Sequence, residues 1–180
     1  MPVSLVPPPD AVRPEPVPGA PAPGTLLPEH YAGCYGCGSQ HPAGLRLQVT
    51  TGEGVSCTSS FVVTELHQGA PGLAHGGVLA AAMDEVVGFV IYLVRRPAVT
   101  VRLETDFRIA VPLGTELFLR SECVAIDGRK VFLHAQARLG APDGPVAVDT
   151  RALFLMVGGE HFAKHAKPGE IARDDARFAP

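Results

Sequence analysis

Several stretches of the chain alternate apolar and polar residues with the period of a half-buried β-strand. The clearest is residues 99–109, where valine, leucine, phenylalanine and isoleucine alternate with threonine, arginine, glutamate and aspartate. Two Asp-Gly pairs, Asp127-Gly128 and Asp143-Gly144, are typical of hairpin turns between the later strands. The pattern predicts six strands, at about residues 45–49, 55–64, 99–109, 115–126, 130–139 and 146–157.

One long segment, residues 77–94, has instead the composition of a buried helix, rich in alanine, valine, leucine and methionine. It should end before Arg95 and Arg96, because cations suit a helix C-terminus and Pro97 cannot continue a helix. The order is two strands, one helix, then four strands in antiparallel hairpins. We therefore expect an α+β domain in which an antiparallel sheet of about six strands wraps around one long helix.

Composition divides the chain into three parts. Residues 1–28 contain ten of the eighteen prolines, which cannot donate backbone hydrogen bonds, so this segment is predicted to be a disordered arm. Residues 29–160 carry the regular pattern and form the expected domain. Residues 161–180 are polar and are predicted to be a surface tail.

Charge and composition exclude several classes of function. The 15 basic and 18 acidic residues give a net charge of −3, and no basic cluster suggests nucleic acid or an anionic membrane as a partner. The longest uncharged apolar run, residues 86–94, is too short to cross a bilayer. The start of the chain does not resemble an export signal, and four cysteines do not make a disulfide framework. We expect a cytoplasmic protein with reduced thiols.

The most informative segment is the start of the predicted helix, where His75 precedes Gly76 and Gly77. The first amides of a helix lack intrahelical acceptors and lie at the positive end of its dipole. Glycine allows a ligand atom to approach these amides closely. A carbonyl oxygen that gains negative charge would find a donor here, as an oxyanion site requires.

Asp84 follows Gly77 by seven residues and therefore returns to nearly the same face of the helix. The same face carries only small residues: Ala80, Ala81 and Gly88. The opposite stripe is bulky and is assigned to the sheet core: Leu79, Met83, Val86, Val90 and Leu93. A carboxylate in a strip of small residues suggests a ligand channel or a close subunit contact, although such an aspartate can also be a solvated surface residue. Glu85 is expected to be a surface residue.

His75-Gly76-Gly77 with Asp84 nine positions after the histidine resembles the hotdog-fold acyl-CoA thioesterases of the phenylacetyl-CoA thioesterase (PaaI-like) family. Three other segments are similar to this family: the loop 68–74, the strand and its proline-containing exit at 100–114, and the Cys34–Leu45 region. The similarity extends from about Cys34 to Val157. His41 departs from the pattern, because asparagine is expected before Pro42.

The resemblance implies a hotdog fold that hydrolyses an acyl-CoA thioester. It assigns Asp84 as general base or nucleophile and the Gly76 amide as oxyanion donor. His75 would position the thioester or the helix start, and Thr100 would help to hold the attacking water, in some members from across a dimer interface. Glu85 is not expected to substitute for Asp84. The residues expected to line the substrate are Gly77, Gln68, Ala80, Ala81 and Gly88.

The resemblance also implies a homodimer, or a tetramer built from two dimers, with active sites at the subunit interface. It implies no metal and no cofactor other than the coenzyme A of the acyl-CoA substrate. A thioester is reactive enough that one carboxylate, one water and one oxyanion donor suffice for its hydrolysis.

Other interpretations remain open at this stage. Cys34-x-x-Cys37 could begin a zinc site with His30 or His41, or could be a redox dithiol, but no second cysteine pair supports the usual zinc spacing. The same scaffold could also bind acyl-CoA or a lipid-like ligand without hydrolysing it. A hydratase is a weaker alternative, because no histidine-containing hydratase signature accompanies the helix carboxylate.

Overall fold

The computed structural model describes residues 4–94, 96–164 and 166. Five of the six predicted strands occur where the sequence pattern placed them, with small differences in their ends, and the single predicted helix is divided into two. The strands are β1 (Val49–Thr51), β2 (Ser56–Val62), β3 (Ala98–Phe107), β4 (Glu116–Asp127), β5 (Lys130–Leu139) and β6 (Val146–Met156). The helices are α1 (Gly76–Phe89), α2 (Ile91–Val94) and α3 (Gly159–Ala163).

The six strands form one antiparallel sheet in the order β1-β2-β4-β5-β6-β3. β4, β5 and β6 are consecutive hairpins, as predicted, but β3 pairs with β6 and not with β4. The prediction that all four later strands form hairpins is therefore wrong. β4 already pairs with β2 on its other side, so β3 occupies the opposite edge of the sheet. Pattern predicts which residues form strands, whereas pairing depends on the whole sheet.

The helical stretch 76–94 buries its bulky stripe, and α1 packs against the inner face of this sheet. The five residues assigned to the core from their spacing are all buried: Leu79, Met83, Val86, Val90 and Leu93. The Ser121 hydroxyl of β4 donates a 2.7 Å hydrogen bond to the Val86 carbonyl, which ties the helix to the sheet. By length and hydropathy alone, Gly76–Val94 would qualify as a membrane span, with 19 residues and a mean hydropathy of 1.9. Its burial against the sheet accounts for that apolar character.

The strand predicted at residues 45–49 begins only at Val49, so that prediction is wrong for most of its length. Arg46 has a φ of 53°, a left-handed conformation that interrupts an extended strand. The amides of Leu45 and Leu47 donate instead to the carbonyls of Tyr35 and Gly36. Both leucines are buried, so their alternation reflects core packing without a sheet ladder.

Residues 4–28, part of the predicted N-terminal arm, contact the domain at several points. Leu27 is buried, and its amide donates to the Val49 carbonyl of β1. Further along, Val12 exchanges two backbone hydrogen bonds with Ile126 of β4. Proline prevents regular strands here, but the apolar residues between the prolines can still pack. Most of the predicted tail, from residue 167 onward, lies outside the described residues.

Candidate active site

The start of α1 is formed by His75, whose backbone is extended and whose side chain caps the helix. The ring Nδ1 accepts a 2.9 Å hydrogen bond from the Gly77 amide. A side chain built on Gly77 would contact this ring, which explains why glycine suits the position. His75 therefore caps the start of the helix, which is one of the two roles that the resemblance implied. Its ring accepts the hydrogen bond of the Gly77 amide, so this amide is not available to a ligand.

Gly76 comes directly before Gly77, and its amide is the first donor of α1. None of the backbone or side-chain acceptors in the described part of the chain is hydrogen-bonded to it. A Cβ at Gly76 would lie 3.5 Å from the ring of Phe107, the last residue of β3, which is exposed. This amide at the positive end of α1 beside an exposed aromatic ring is suited to an anionic or carbonyl oxygen.

Asp84 lies two turns further along α1 and is half-buried. The Thr100 hydroxyl of β3 donates a 2.9 Å hydrogen bond to its Oδ1. Burial raises the pKa of Asp84 above the usual range, the Thr100 hydrogen bond opposes this, and the charges of Glu85 and Cys34 raise it further. A carboxylate with a raised pKa is a stronger base once ionised, as proton abstraction requires.

The other predicted substrate-lining residues do not all face open space. A Cβ at Gly88 would lie 3.7 Å from His30 Cε1, so this end of the strip packs against the chain's own N-terminal segment. The Gln68 side chain accepts a 3.0 Å hydrogen bond from the Gly72 amide and so holds the loop before α1. Ala80 and Ala81 remain partly exposed beside Asp84.

Asp84 and the Gly76 amide cannot both reach one substrate carbonyl within a single chain. Eight residues separate them along α1, which at about 1.5 Å per residue is roughly 12 Å. A cavity of about 1100 Å³ lies on the outer face of β2, β4 and β5. It is separate from the candidate site, because none of its lining residues belongs to α1. A complete site at Asp84 therefore requires an oxyanion donor from outside this chain's own α1.

Glu85 is not the surface residue that the sequence suggested, so that prediction is wrong. Its side chain is 12% exposed and contacts His30 at 2.9 Å between Nδ1 and Oε1. Cys34 Sγ lies 3.5 Å from Glu85 Oε2, and Cys37 Sγ lies 3.7 Å from His30 Nδ1. The Cys-x-x-Cys spacing was visible in the sequence, but nothing local marked Glu85 as its partner.

Charge is concentrated in this cluster. Burial lowers the pKa of His30, but the hydrogen bonds and charges of Cys34 and Glu85 outweigh it and raise that pKa to about 9. Hydrogen bonds from Cys37 and His30 lower the pKa of Cys34, while the pKa of Cys37 is raised by Cys34, by burial and by Glu85. Cys34, Cys37 and Glu85 can each carry a negative charge, and all three lie near the one imidazole of His30.

Residues 71–144 match the family model of the thioesterase superfamily. Among curated proteins, the chain is 32% identical over 90 residues to acyl-coenzyme A thioesterase THEM4 from Xenopus laevis, covering 50% of this chain and 40% of that one. It is 35% identical over 71 residues to acyl-coenzyme A thioesterase THEM5 from Mus musculus, covering 39% and 29%. The chain thus spans less than half the length of these relatives.

Solved structures share the fold. A thioesterase superfamily protein superimposes with a TM-score of 0.63 at 27% identity, covering 68% of this chain and 62% of that one. The PaaI protein from the phenylacetic acid degradation operon of E. coli gives a TM-score of 0.59 at 15% identity, covering 64% and 82%. A Streptococcus mutans protein bound to acetyl CoA gives 0.58 at 17%, covering 62% and 89%. These matches confirm the hotdog fold and the resemblance to hotdog-fold acyl-CoA thioesterases.

Proposed function

We propose that this protein hydrolyses acyl-CoA thioesters to a carboxylic acid and coenzyme A. The observation that carries the proposal is the half-buried Asp84 carboxylate, fixed on α1 by the Thr100 hydroxyl. The curated relatives named above are acyl-coenzyme A thioesterases, and one structural neighbour is bound to acetyl CoA. A further neighbour, a hypothetical thioesterase from Streptococcus pneumoniae, was solved with coenzyme A (TM-score 0.54).

The proposed reaction needs only a base, a water molecule and an oxyanion donor. Thr100 engages Oδ1 of Asp84, so Oδ2 is placed to accept a proton from water. The resulting hydroxide adds to the thioester carbonyl carbon, whose oxygen becomes negatively charged. Collapse of this intermediate breaks the C–S bond, and the coenzyme A thiolate leaves and takes up the proton. The alternative, direct attack by Asp84 through an anhydride, uses the same carboxylate.

The oxyanion donor is proposed to be the Gly76 amide of a second copy of the chain. Within one chain the two groups are about 12 Å apart along α1, whereas a donor for a carbonyl oxygen must lie within about 3 Å of it. A homodimer that brings α1 of one copy beside β3 of another would supply the missing amide. A tetramer of two such dimers is compatible with the same site.

The hydrogen bond between Thr100 and Asp84 supports the choice of Asp84 as the catalytic carboxylate. Two solved structures of the Streptococcus pneumoniae protein carry alanine in place of an aspartate and in place of a threonine sixteen positions later. Sixteen positions also separate Asp84 from Thr100 here. The equal spacing makes Asp84 and Thr100 the first choice for mutation in this protein.

The test is release of free thiol from a panel of acyl-CoA chain lengths, compared between the wild type and Asp84→Asn. The variant keeps the shape and can still accept the Thr100 hydrogen bond, but it cannot accept a proton. We expect kcat/KM to fall at least about 100-fold. Asp127→Asn, at an exposed carboxylate, is the matched control and should match the wild type.

Two outcomes would contradict the proposal. Full activity of Asp84→Asn would remove the carboxylate from the mechanism. Binding of acyl-CoA by the wild type without thiol release for any chain length would favour the non-catalytic binding protein on the same scaffold.

A further inference from the structure

A cluster of four metal-ligating side chains lies beside the candidate active site, and none of the four takes part in a bond-making or bond-breaking step of the proposed reaction. It consists of His30, Cys34, Cys37 and Glu85, whose ligand atoms all lie within 4.8 Å of one another. His30 Nδ1 lies 2.9 Å from Glu85 Oε1, and Cys34 Sγ lies 3.5 Å from Glu85 Oε2. Fifty-five residues separate His30 from Glu85, so the fold and not local sequence brings them together.

The spacing of these atoms fits the edges of a coordination tetrahedron. With Zn–S bonds of about 2.3 Å and Zn–N or Zn–O bonds of about 2.0 Å, the ligand atoms of a tetrahedral site lie roughly 3.3 to 3.8 Å apart. The contacts from Cys34 Sγ to Glu85 and from Cys37 Sγ to His30, at 3.5 and 3.7 Å, fall within that range. The His30–Glu85 contact, at 2.9 Å, must lengthen by a few tenths of an ångström, and none of the four ligand atoms lies more than 4.8 Å from another.

The chain around the cluster is arranged to hold these groups in place. The Cys34 amide donates to the Tyr31 carbonyl, and the Gly38 amide donates to the Cys34 carbonyl, which forms the tight turn that carries both cysteines. A Cβ at Gly36 would collide with the Glu85 carboxylate, so glycine lets the turn approach α1 with Glu85 in its present position. A thiol pair in such a turn, facing a carboxylate from another element, is more than a chance contact of surface residues.

The histidine is positioned by aromatic packing. The His30 ring lies 4.1 Å from the Phe89 ring and 5.4 Å from the Tyr92 ring, measured between centroids. Both aromatic residues belong to the helical stretch that also carries Glu85. Packing against them limits rotation of the imidazole and directs Nδ1 toward the carboxylate and the Cys37 thiol. Orientation of a ligating ring by its surroundings is a general feature of metal sites.

We propose that His30, Cys34, Cys37 and Glu85 bind one Zn²⁺ ion in a tetrahedral, structural site. Two thiolates, one imidazole and one carboxylate are a donor set that suits zinc, and four protein ligands leave no position open for substrate. Binding displaces the proton of each cysteine that is still a thiol, and a further proton from His30 if its imidazole is charged. The two thiolates and the carboxylate then balance the ion with one excess negative charge.

The proposed ion would join the N-terminal segment to the catalytic helix. Three ligands come from residues 30–37, and the fourth follows Asp84 directly on α1. Zinc would therefore fix the packing of this segment along α1, including the contact of His30 with Gly88. None of the four ligands takes part in a bond-making or bond-breaking step of the proposed hydrolysis, so either proposal can fail without the other.

The experiment uses the full chain, expressed in medium supplemented with zinc and purified without chelator under reducing conditions. We expect elemental analysis to find one zinc per chain. After removal of the metal, titration with Co²⁺ alone should produce a cobalt–thiolate charge-transfer band and the intense visible bands of tetrahedral cobalt, saturating at one equivalent. Added Zn²⁺ should abolish these bands.

Variants identify the ligands. Cys34→Ser and Cys37→Ser should each lose at least about 90% of the zinc, and Cys123→Ala, at a buried cysteine outside the cluster, should retain it. Glu85→Gln tests the fourth ligand without removing a thiolate. It should keep the charge-transfer band while shifting the visible cobalt bands, and Glu116→Gln at an exposed carboxylate should change neither.

Several results would overturn the proposal. The first is wild-type protein that contains no stoichiometric metal and gives no cobalt bands. The second is stoichiometric iron or copper in place of zinc. The third is a Cys34–Cys37 disulfide in wild-type protein that was kept reduced. Retention of zinc by both cysteine variants would also overturn it. Because the cobalt titration is performed on the wild type, the proposal stays testable if a variant fails to fold.

Discussion

At the residue scale, the chemistry depends on how Asp84 is held. Burial and the neighbouring Glu85 and Cys34 charges raise its pKa, and the Thr100 hydroxyl is the one side-chain hydrogen bond that stabilises the ionised form among the described residues. Thr100 therefore keeps more of the carboxylate in the form that can accept a proton. It also fixes the rotamer of Asp84, since Oδ1 is directed toward β3.

Thr100→Val is expected to move the acidic limb of the pH profile of kcat/KM to higher pH. The change removes a hydrogen bond that favours the charged carboxylate, so the pKa of Asp84 rises further and more alkaline solution is needed to ionise it. The pH profile of thiol release measures this shift. Thr58→Val, at an exposed strand threonine of β2, is the matched control and should leave the profile unchanged. A loss of activity that is equal at every pH would contradict the explanation by titration.

At the scale of elements, α1 combines three functions along one helix. Its buried stripe fills the core, its first amides form the candidate oxyanion site, and its partly exposed face carries Asp84. The position of the first turn is set by His75, because the cap at Gly77 fixes which amide is left for a ligand. We therefore regard His75 as a positioning residue for the helix start.

His75→Ala should lower the free energy of unfolding by about 1 kcal/mol, because the Gly77 amide loses its acceptor. His75→Asn should restore most of this stability, since asparagine is a good N-cap residue. Chemical denaturation of both variants measures the difference, and thiol release measures whether activity follows it. If His75→Asn is stable but inactive, the ring itself takes part in the reaction and the capping explanation is insufficient.

The outer face of β5 and β6 carries a polar network centred on Asp149. Gln136 and His134 bond to its two carboxylate oxygens at 2.9 and 3.1 Å, and Arg108 pairs with it at 3.0 Å. Burial alone would raise the pKa of Asp149, but these partners hold it below the usual range. The ionised Asp149 therefore contributes to the free energy of unfolding at pH values above its pKa in the unfolded state. This contribution is lost as the pH falls through its lower pKa in the folded state.

Asp149→Asn should lower the free energy of unfolding by about 1 to 2 kcal/mol at pH 7. The difference from the wild type should shrink as the pH falls below about 4, the usual pKa of an aspartate in the unfolded state, and should disappear below the lower pKa of the folded carboxylate. Urea denaturation across this pH range measures it. Asp127→Asn, which breaks only an exposed pair with Lys130, should have a much smaller effect at every pH. A constant difference down to pH 2 would contradict an electrostatic origin.

At the scale of the whole molecule, the two edges of the sheet differ. The edge at β1 is covered by the N-terminal segment, through backbone bonds that join Gly24, Thr25 and Leu27 to the strand. The edge at β3 has no strand beside it in the described part of the chain, and Val101 and Phe107 are exposed on it. An unpaired edge with exposed apolar residues is a surface on which a second copy can pair.

If a second copy supplies the oxyanion donor as proposed, Val101→Asp should convert the dimer to a monomer and lower kcat/KM at least about 10-fold, because a charge buried in the interface opposes association. Light scattering coupled to size exclusion gives the mass, and thiol release gives the activity. Val124→Asp, at an exposed valine of β4, is the matched control and should change neither. A wild type that is active as a monomer would contradict the shared site.

The sequence predicted much of this protein because the relevant signals are local. The two-residue alternation of the strands, the bulky stripe of α1 and the spacing from Gly76 to Asp84 are each readable within a few turns of chain. The register was not readable: the pairing of β3 with β6, and the bond from Thr100 to Asp84 that follows from it, depend on which strands meet. The strand expected at residues 45–49 was also missed, because a left-handed Arg46 leaves no clear trace in an alternating pattern.

Glu85 shows the difference between what local sequence predicts and what only the folded structure reveals. Its neighbours on the helix gave it the character of a solvated surface residue, and only the fold brings it against His30 and the two cysteines of a turn about fifty positions earlier. By itself, the sequence determined the elements, the core face of α1 and the carboxylate offered for chemistry, because these depend on short-range periodicity. The tertiary structure alone decided strand order, the open edge and the four-residue cluster, because those depend on distances that close only when the chain folds.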